Sequence, residues 1–197
     1  MTSPAYEAHT ALLVIDVQND FADPRGSLYV AGGEQVVDVV NEEVGRAVDA
    51  GSPVLYTQDW HPPDTPHFAK DGGIWPVHCV HDTWGAALHP GLLTVAGEMV
   101  RKGTGGEDGY SGFSVRHPVS GETSPTPMYE RLRGRGVERL IVVGLATDYC
   151  VVETVTDGRM LGFPVRVLAA GIRAVDLQPG DGERAIIRMR DAGADVE

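Results

Sequence analysis

Leu140-Ile141-Val142-Val143-Gly144-Leu145-Ala146-Thr147-Asp148-Tyr149-Cys150 passes from four apolar residues, through a turn of small ones, to a Thr-Asp pair and a cysteine. That order reads as a buried strand, a tight turn and a helix starting at Thr147 or Asp148, either of which offers a capping oxygen. A cysteine in a helix's first turn faces unpaired backbone N–H groups and the positive end of the helix dipole, and both favour a thiolate. Cys150 is therefore the candidate nucleophile. The same turn is able to aim the N–H groups of Ala146 and Cys150 at one point, as attack on an acyl carbon requires.

Outward from this stretch, short apolar runs alternate with longer amphipathic ones. Ala11–Ile15, Pro53–Thr57, Glu98–Arg101, Arg139–Val143 and Val165–Ala169 have the length and content of strands. Ala11–Ile15 and Leu140–Val143 are near-continuously apolar, as strands covered on both faces are. Gln35–Ala50 places Val36, Val37, Val40, Val44, Ala47 and Val48 on one helical stripe, and Gly51 is a stop signal. Pro127–Arg133, Val151–Leu161 and Glu183–Asp191 are further helix candidates, and Ala194–Val196 is a short edge strand. Asp64–Leu93 and Gly103–Pro127 read as loops. No linker or repeat divides residues 1–197, so the expectation is one α/β domain with three layers, α/β/α, around a central, mainly parallel sheet. In such sheets ligands bind beyond the carboxyl ends of the strands. Asp16, Asp59 and Lys102 end the first three strands and Cys150 follows the fourth, which brings four ionisable groups into one crevice.

The 197 residues suffice for a sizeable core, and 42% hydrophobic with 22% charged residues is ordinary for a soluble globular chain. A net charge of −12 with no basic stretch argues against a nucleic-acid partner. Met1–Thr10 lacks a basic region and the apolar run Ala11–Ile15 stops at Asp16, so neither a signal peptide nor a membrane span is expected. Two cysteines make no disulfide framework, which fits a reducing cytoplasm. Nothing in the sequence argues against a homo-oligomer.

A carboxylate beside a thiol is useful when the two share one proton. Asp16 suits the base that takes the thiol proton as the sulfur attacks, and Lys102 would offset the charge and orient the carboxylate. Asp59-Trp60-His61 sets a carboxylate and an imidazole two apart, on one face of an extended segment. His67 and His78 follow, so three of the seven histidines fall within residues 61–78. One carboxylate and up to three imidazoles suit a divalent ion, zinc, iron or manganese, and ligand identity does not choose among the three. His9, His81, His89 and His117 match no ligand spacing. Cys79 adjoins His78, points the other way on a strand, and reads as packing.

These residues together resemble the nicotinamidase/pyrazinamidase family, within the isochorismatase-like cysteine hydrolases. The marks are Ile15-Asp16-Val17-Gln18-Asn19-Asp20-Phe21, Gln58-Asp59-Trp60-His61, Trp75-Pro76-Val77-His78-Cys79, Arg101-Lys102-Gly103, Tyr110-Ser111-Gly112-Phe113 and Gly144–Val151. The resemblance implies the isochorismatase-like hydrolase fold, with Cys150 as nucleophile, Asp16 as base and Lys102 as its partner. It implies Asp59, His61 and His78 as the principal metal ligands, with His67 at a position that is a ligand in some members. Phe21, Trp75 and Tyr110 match positions lining the substrate pocket, and the Leu145–Ala146 peptide bond is expected to be cis. The implied activity is hydrolysis of nicotinamide to nicotinate and ammonia, with pyrazinamide a second substrate, through a cysteine thioester. Two departures lie near the pocket mouth: the bulky stretch His81-Asp82-Thr83-Trp84-Gly85, and a loop Gly103–Tyr110 one residue longer than in some relatives. Two other readings stay open: a sibling amidohydrolase acting on a ureido, carbamoyl or other small amide, and a non-catalytic ligand-binding protein.

Overall fold

A computed structural model describes Tyr6, residues 8–95 and residues 97–197. Most of the amino-terminal stretch, residues 1–5 and Glu7, lies outside the described residues, as does Ala96. In chain order the principal elements are β1 (Thr10–Ile15), the short α1 (Asn19–Ala22), α2 (Val36–Asp49), β2 (Val54–Asp59), β3 (Glu98–Lys102), β4 (Ser114–Arg116), β5 (Thr123–Pro125), α3 (Met128–Gly134), β6 (Arg139–Leu145), α4 (Val152–Met160), β7 (Val165–Arg173), α5 (Asp181–Asp191) and β8 (Asp195–Val196).

Six strands form one sheet in the order β3-β2-β1-β6-β7-β8, parallel throughout. The chain runs outward on one side of β1 and returns to pair on its other side through β6, with Ile15 opposite Gly144. That reversal is a topological switch point, where such sheets open a crevice at their carboxyl edge. β1 is buried on both faces: Ala11, Leu13 and Ile15 pack with residues of α3, α4 and α5, while Leu12 and Val14 pack against α2. The alternation follows from the two-residue period of a strand, and it makes the three layers.

The valine stripe of α2 faces the sheet through Val36, Val37, Val40, Val44 and Ala47. Each such valine contributes about 1.5–3 kcal/mol of burial. Val48 does not join them and is 47% exposed. At 100° per residue it lies beyond Val37 at the edge of the stripe, in the last turn. β7 runs four residues past the expected end at Ala169, because a register shift opposite Val142/Gly144 lets it continue through Gly171. The segment 103–127, read as loop, contains the antiparallel pair β4–β5. Among the described residues no helix is long and apolar enough to cross a membrane.

Candidate active site

The carboxyl ends of β1, β2 and β3 bring Asp16, Asp59 and Lys102 together in a buried cluster. Lys102 Nζ donates to Asp16 Oδ2 at 2.6 Å, lies 2.9 Å from Asp59 Oδ1, and donates to the Gly109 carbonyl. Thr57, one strand over from Asp16, donates its hydroxyl proton to Asp16 Oδ1 (2.6 Å) and accepts the Asp16 N–H (3.1 Å). Burial works against the charge on Lys102, but Asp16 and Asp59 outweigh it and hold the ammonium well above its ordinary range. Burial pushes Asp16 up to about 6 against the pull of Lys102, and Asp59 adds to the rise. Asp59 goes the other way: burial opposes its charge, yet Lys102 and the imidazoles of His61 and His78 hold its carboxyl below the usual range.

Cys150 follows β6 across the Leu145–Ala146 bond, which is cis. The turn Thr147–Val151 is π-helical, with Val151 N–H donating to the Ala146 carbonyl at 3.0 Å, and α4 starts only at Val152. Neither Thr147 nor Asp148 caps this turn. Asp148 instead accepts the N–H groups of Val175 and Asp176 (2.9 and 2.8 Å), tying the end of β7 to the turn. The thiolate expected from the helix terminus is also corrected. Burial pushes the Cys150 thiol well above its ordinary value, the Lys102 charge does not reverse this, and the neighbouring Asp16 and Asp59 carboxylates add to the rise. Desolvation outweighs the helix terminus because Cys150 is only 6% exposed, and a buried anion loses its hydration.

Beside this cluster stand three imidazoles. One ring nitrogen from each of His61, His67 and His78 lies within 4.8 Å of the others, and all three residues are buried. His67 Nδ1 is paired with Asp108 Oδ1 at 2.7 Å and His78 Nδ1 with the Pro76 carbonyl at 2.8 Å, which leaves the Nε2 of each free. Neither ring nitrogen of His61 has a hydrogen-bond partner, and Asp59 Oδ1, though ion-paired with Lys102, has none either. His61 Nε2 is 3.9 Å from Asp59 Oδ2. Burial pushes His61 down to about 3 and also lowers His78, so both rings are neutral, as ligands must be. Orphaned buried nitrogens next to a carboxylate are costly unless a cation takes them, so these residues fit a metal ion. Gly103 makes room for the His61 ring: at φ +70°, a Cβ there would lie 2.5 Å from His61 Cε1.

A cavity opens between the two clusters, lined on its polar side by Asp59, His67, His78 and Cys150 and on its apolar side by Phe21 and Trp75 among others. Tyr110, Ala146, Leu28, Tyr149 and Val175 complete most of the wall. Trp75 Nε1 donates to the Tyr110 hydroxyl at 2.7 Å, and its ring meets Tyr149 edge-on, with centroids 4.8 Å apart.

The isochorismatase domain model matches residues 10–197. The chain belongs to the isochorismatase family. Among its relatives is a nicotinamidase of Escherichia coli K12, 38% identical over 201 residues, covering 93% of this chain and 92% of that one. A solved pyrazinamidase of Pyrococcus horikoshii, in complex with zinc, is 34% identical with a TM-score of 0.85, covering 96% of this chain and 98% of that one. PnC1 from L. infantum, solved in complex with nicotinate, is 35% identical with a TM-score of 0.84, covering 95% and 91%.

In this member of the isochorismatase family the structure brings Asp16, Asp59, Lys102, Cys150, His67, His78, Phe21, Trp75, Tyr110 and Ala146 to one place, with His61 buried just behind the cavity wall. His9, His81 and His117 are exposed and His89 is half-buried, all outside this group. Cys79 is buried and free, and burial pushes its thiol up, as for an inert packing residue. Trp84, in the bulky stretch, is half-exposed under the Arg25 guanidinium, 5.0 Å from the ring centroid. Thr57, Asp108 and Tyr149 were not singled out from sequence. Thr57 had a signal, since it shares a strand face with Asp59. Asp108 had none: it lies 41 residues from His67.

Proposed function

We propose that this protein hydrolyses nicotinamide to nicotinate and ammonia, and takes pyrazinamide as well, through a thioester on Cys150. The observation that carries the reading is the placement of Cys150 at one wall of an aromatic cavity whose other wall presents His67 and His78, with the buried Asp16 carboxylate within 4.8 Å of the Cys150 sulfur behind that wall. Phe21, Trp75 and Tyr110 enclose a planar ring, and the carboxamide lies against Cys150. Because burial keeps the thiol protonated, the proton moves to Asp16 as the sulfur attacks, a general-base step. Lys102 keeps two carboxylates tolerable in one buried site and holds Asp16 in line. The oxyanion is received by the Ala146 and Cys150 N–H groups. Asp16 then returns the proton to the departing ammonia, takes one from water as that water attacks the thioester, and gives it to the Cys150 sulfur as the C–S bond breaks and nicotinate leaves.

Asp59, His61, His67 and His78 would hold one divalent ion, zinc by analogy with the P. horikoshii relative and with iron or manganese as alternatives. The chemistry supplied there is Lewis acidity toward the ring nitrogen, which fixes the ring's orientation. The two cysteines are free and buried, and a cytoplasmic location is part of this reading.

The test is ammonia release from nicotinamide, pyrazinamide and a ureido amide, by the parent protein and by Cys150→Ala. Release from the two aromatic amides only, abolished in Cys150→Ala while nicotinamide still binds, is expected. Preference for the ureido amide would shift the assignment to a sibling amidohydrolase, and turnover by Cys150→Ala would end the thioester mechanism.

A further inference from the structure

We infer that Asp108, clamped by Arg116, is a positioning residue that makes His67 a metal ligand in this chain, an inference that rests on the metal site of the proposed function. The Asp108 carboxylate is buried and spends one oxygen on each neighbour: Oδ1 accepts from His67 Nδ1 at 2.7 Å and Oδ2 from Arg116 Nη2 at 2.8 Å. An imidazole that donates from Nδ1 presents the lone pair of Nε2, and the hydrogen bond fixes the ring's rotation. His67 thus aims a defined atom at His61 and His78, as the mutual approach of the three rings requires. Without the acceptor, the ring would be free to turn or to carry its proton on the wrong nitrogen.

The clamp on Asp108 is itself built. Asp108 N–H donates to the Arg116 carbonyl at 2.7 Å and Arg116 N–H to the Asp108 carbonyl at 3.0 Å, so the two residues form a closed antiparallel bridge. Arg116 ends β4, and β4 is held by β5 through Arg116 opposite Thr123. The segment carrying His67 is tied to the same loop independently: the Thr65 hydroxyl donates to the Gly106 carbonyl at 2.7 Å and accepts the His67 N–H at 3.2 Å. The loop Gly103–Tyr110 and the unexpected hairpin therefore have one physical outcome, a carboxylate held still behind one imidazole. His78 has only the Pro76 carbonyl in that position, and His61 has no such partner.

The test is zinc affinity, measured by competition with a chromophoric chelator, for the parent, Asp108→Ala, Asp108→Asn, His67→Ala and the Asp108→Ala/His67→Ala double variant. Circular dichroism identifies the folded proteins. Asp108→Ala should weaken zinc binding about 10- to 100-fold. Asp108→Asn, whose amide oxygen still accepts from Nδ1–H, should lose less. The double variant should bind within about twofold of His67→Ala, because the two residues act as one unit. Parent-like affinity in folded Asp108→Ala, a loss in folded Asp108→Asn as large as in Asp108→Ala, or an undiminished Asp108→Ala loss in the His67→Ala background would overturn the inference while leaving the metal site intact. A parent protein that takes up no divalent ion would remove the metal site and the inference together.

Discussion

The proposed mechanism requires an ionised Asp16 to take the thiol proton, yet Asp16 is buried beside a second carboxylate. Lys102 and the Thr57 hydroxyl reconcile the two demands, leaving the carboxyl at about 6 in place of an ordinary 3.8. Turnover should accordingly rise with pH through an acid limb near 6, as Asp16 loses its proton. Thr57→Val removes a hydrogen bond that favours the charged form, so the limb of kcat/KM should move up by about one pH unit; a limb that stays in place would release Thr57 from this role. Stability runs in the opposite sense. A carboxyl whose proton affinity is raised by folding stabilises the fold fully below its unfolded value, and that contribution is lost as pH rises through about 6. The buried carboxyl thus costs the fold some stability at neutral pH.

At the scale of elements, the passage from β6 to α4 decides where the sulfur goes. Gly144 sits at φ +118°, with an ideal Cβ position 2.1 Å from the Ile15 carbonyl oxygen. Only a glycine lets β6 lie this close to β1 immediately before the turn that presents Ala146 and Cys150. Gly144→Ala should cost about 3 kcal/mol or more in urea unfolding and lower turnover with it; an unchanged midpoint would contradict the close approach. The π-helical turn that follows lets the Ala146 carbonyl accept from both Tyr149 and Val151. Asp148 is thereby turned outward to the β7–α5 connection, where it is a tie between elements and not a cap.

At the scale of the whole molecule, the three imidazoles and Asp59 join the end of β2 to the long segment that precedes β3. An ion bound there binds the folded chain and not the unfolded one. Removing it with a chelator should lower the melting temperature by about 5–10 °C if the site had been filled at a hundred times its dissociation constant, and re-addition should restore it; a melting curve indifferent to chelation would argue against the site. The same view separates two kinds of information. Apolar runs such as Leu140–Val143, the stripe of α2 and the reactive groups at Asp16, Asp59, Lys102 and Cys150 were legible in the sequence, because strand and helix periods are local and a parallel sheet gathers its strand ends at one edge. The high proton affinity of Cys150, the hairpin β4–β5, the outward turn of Asp148 and the Arg116–Asp108–His67 chain were decided by tertiary structure alone. Each depends on how much water packing removes, or on a contact between residues far apart in the chain, and neither quantity is written in local spacing.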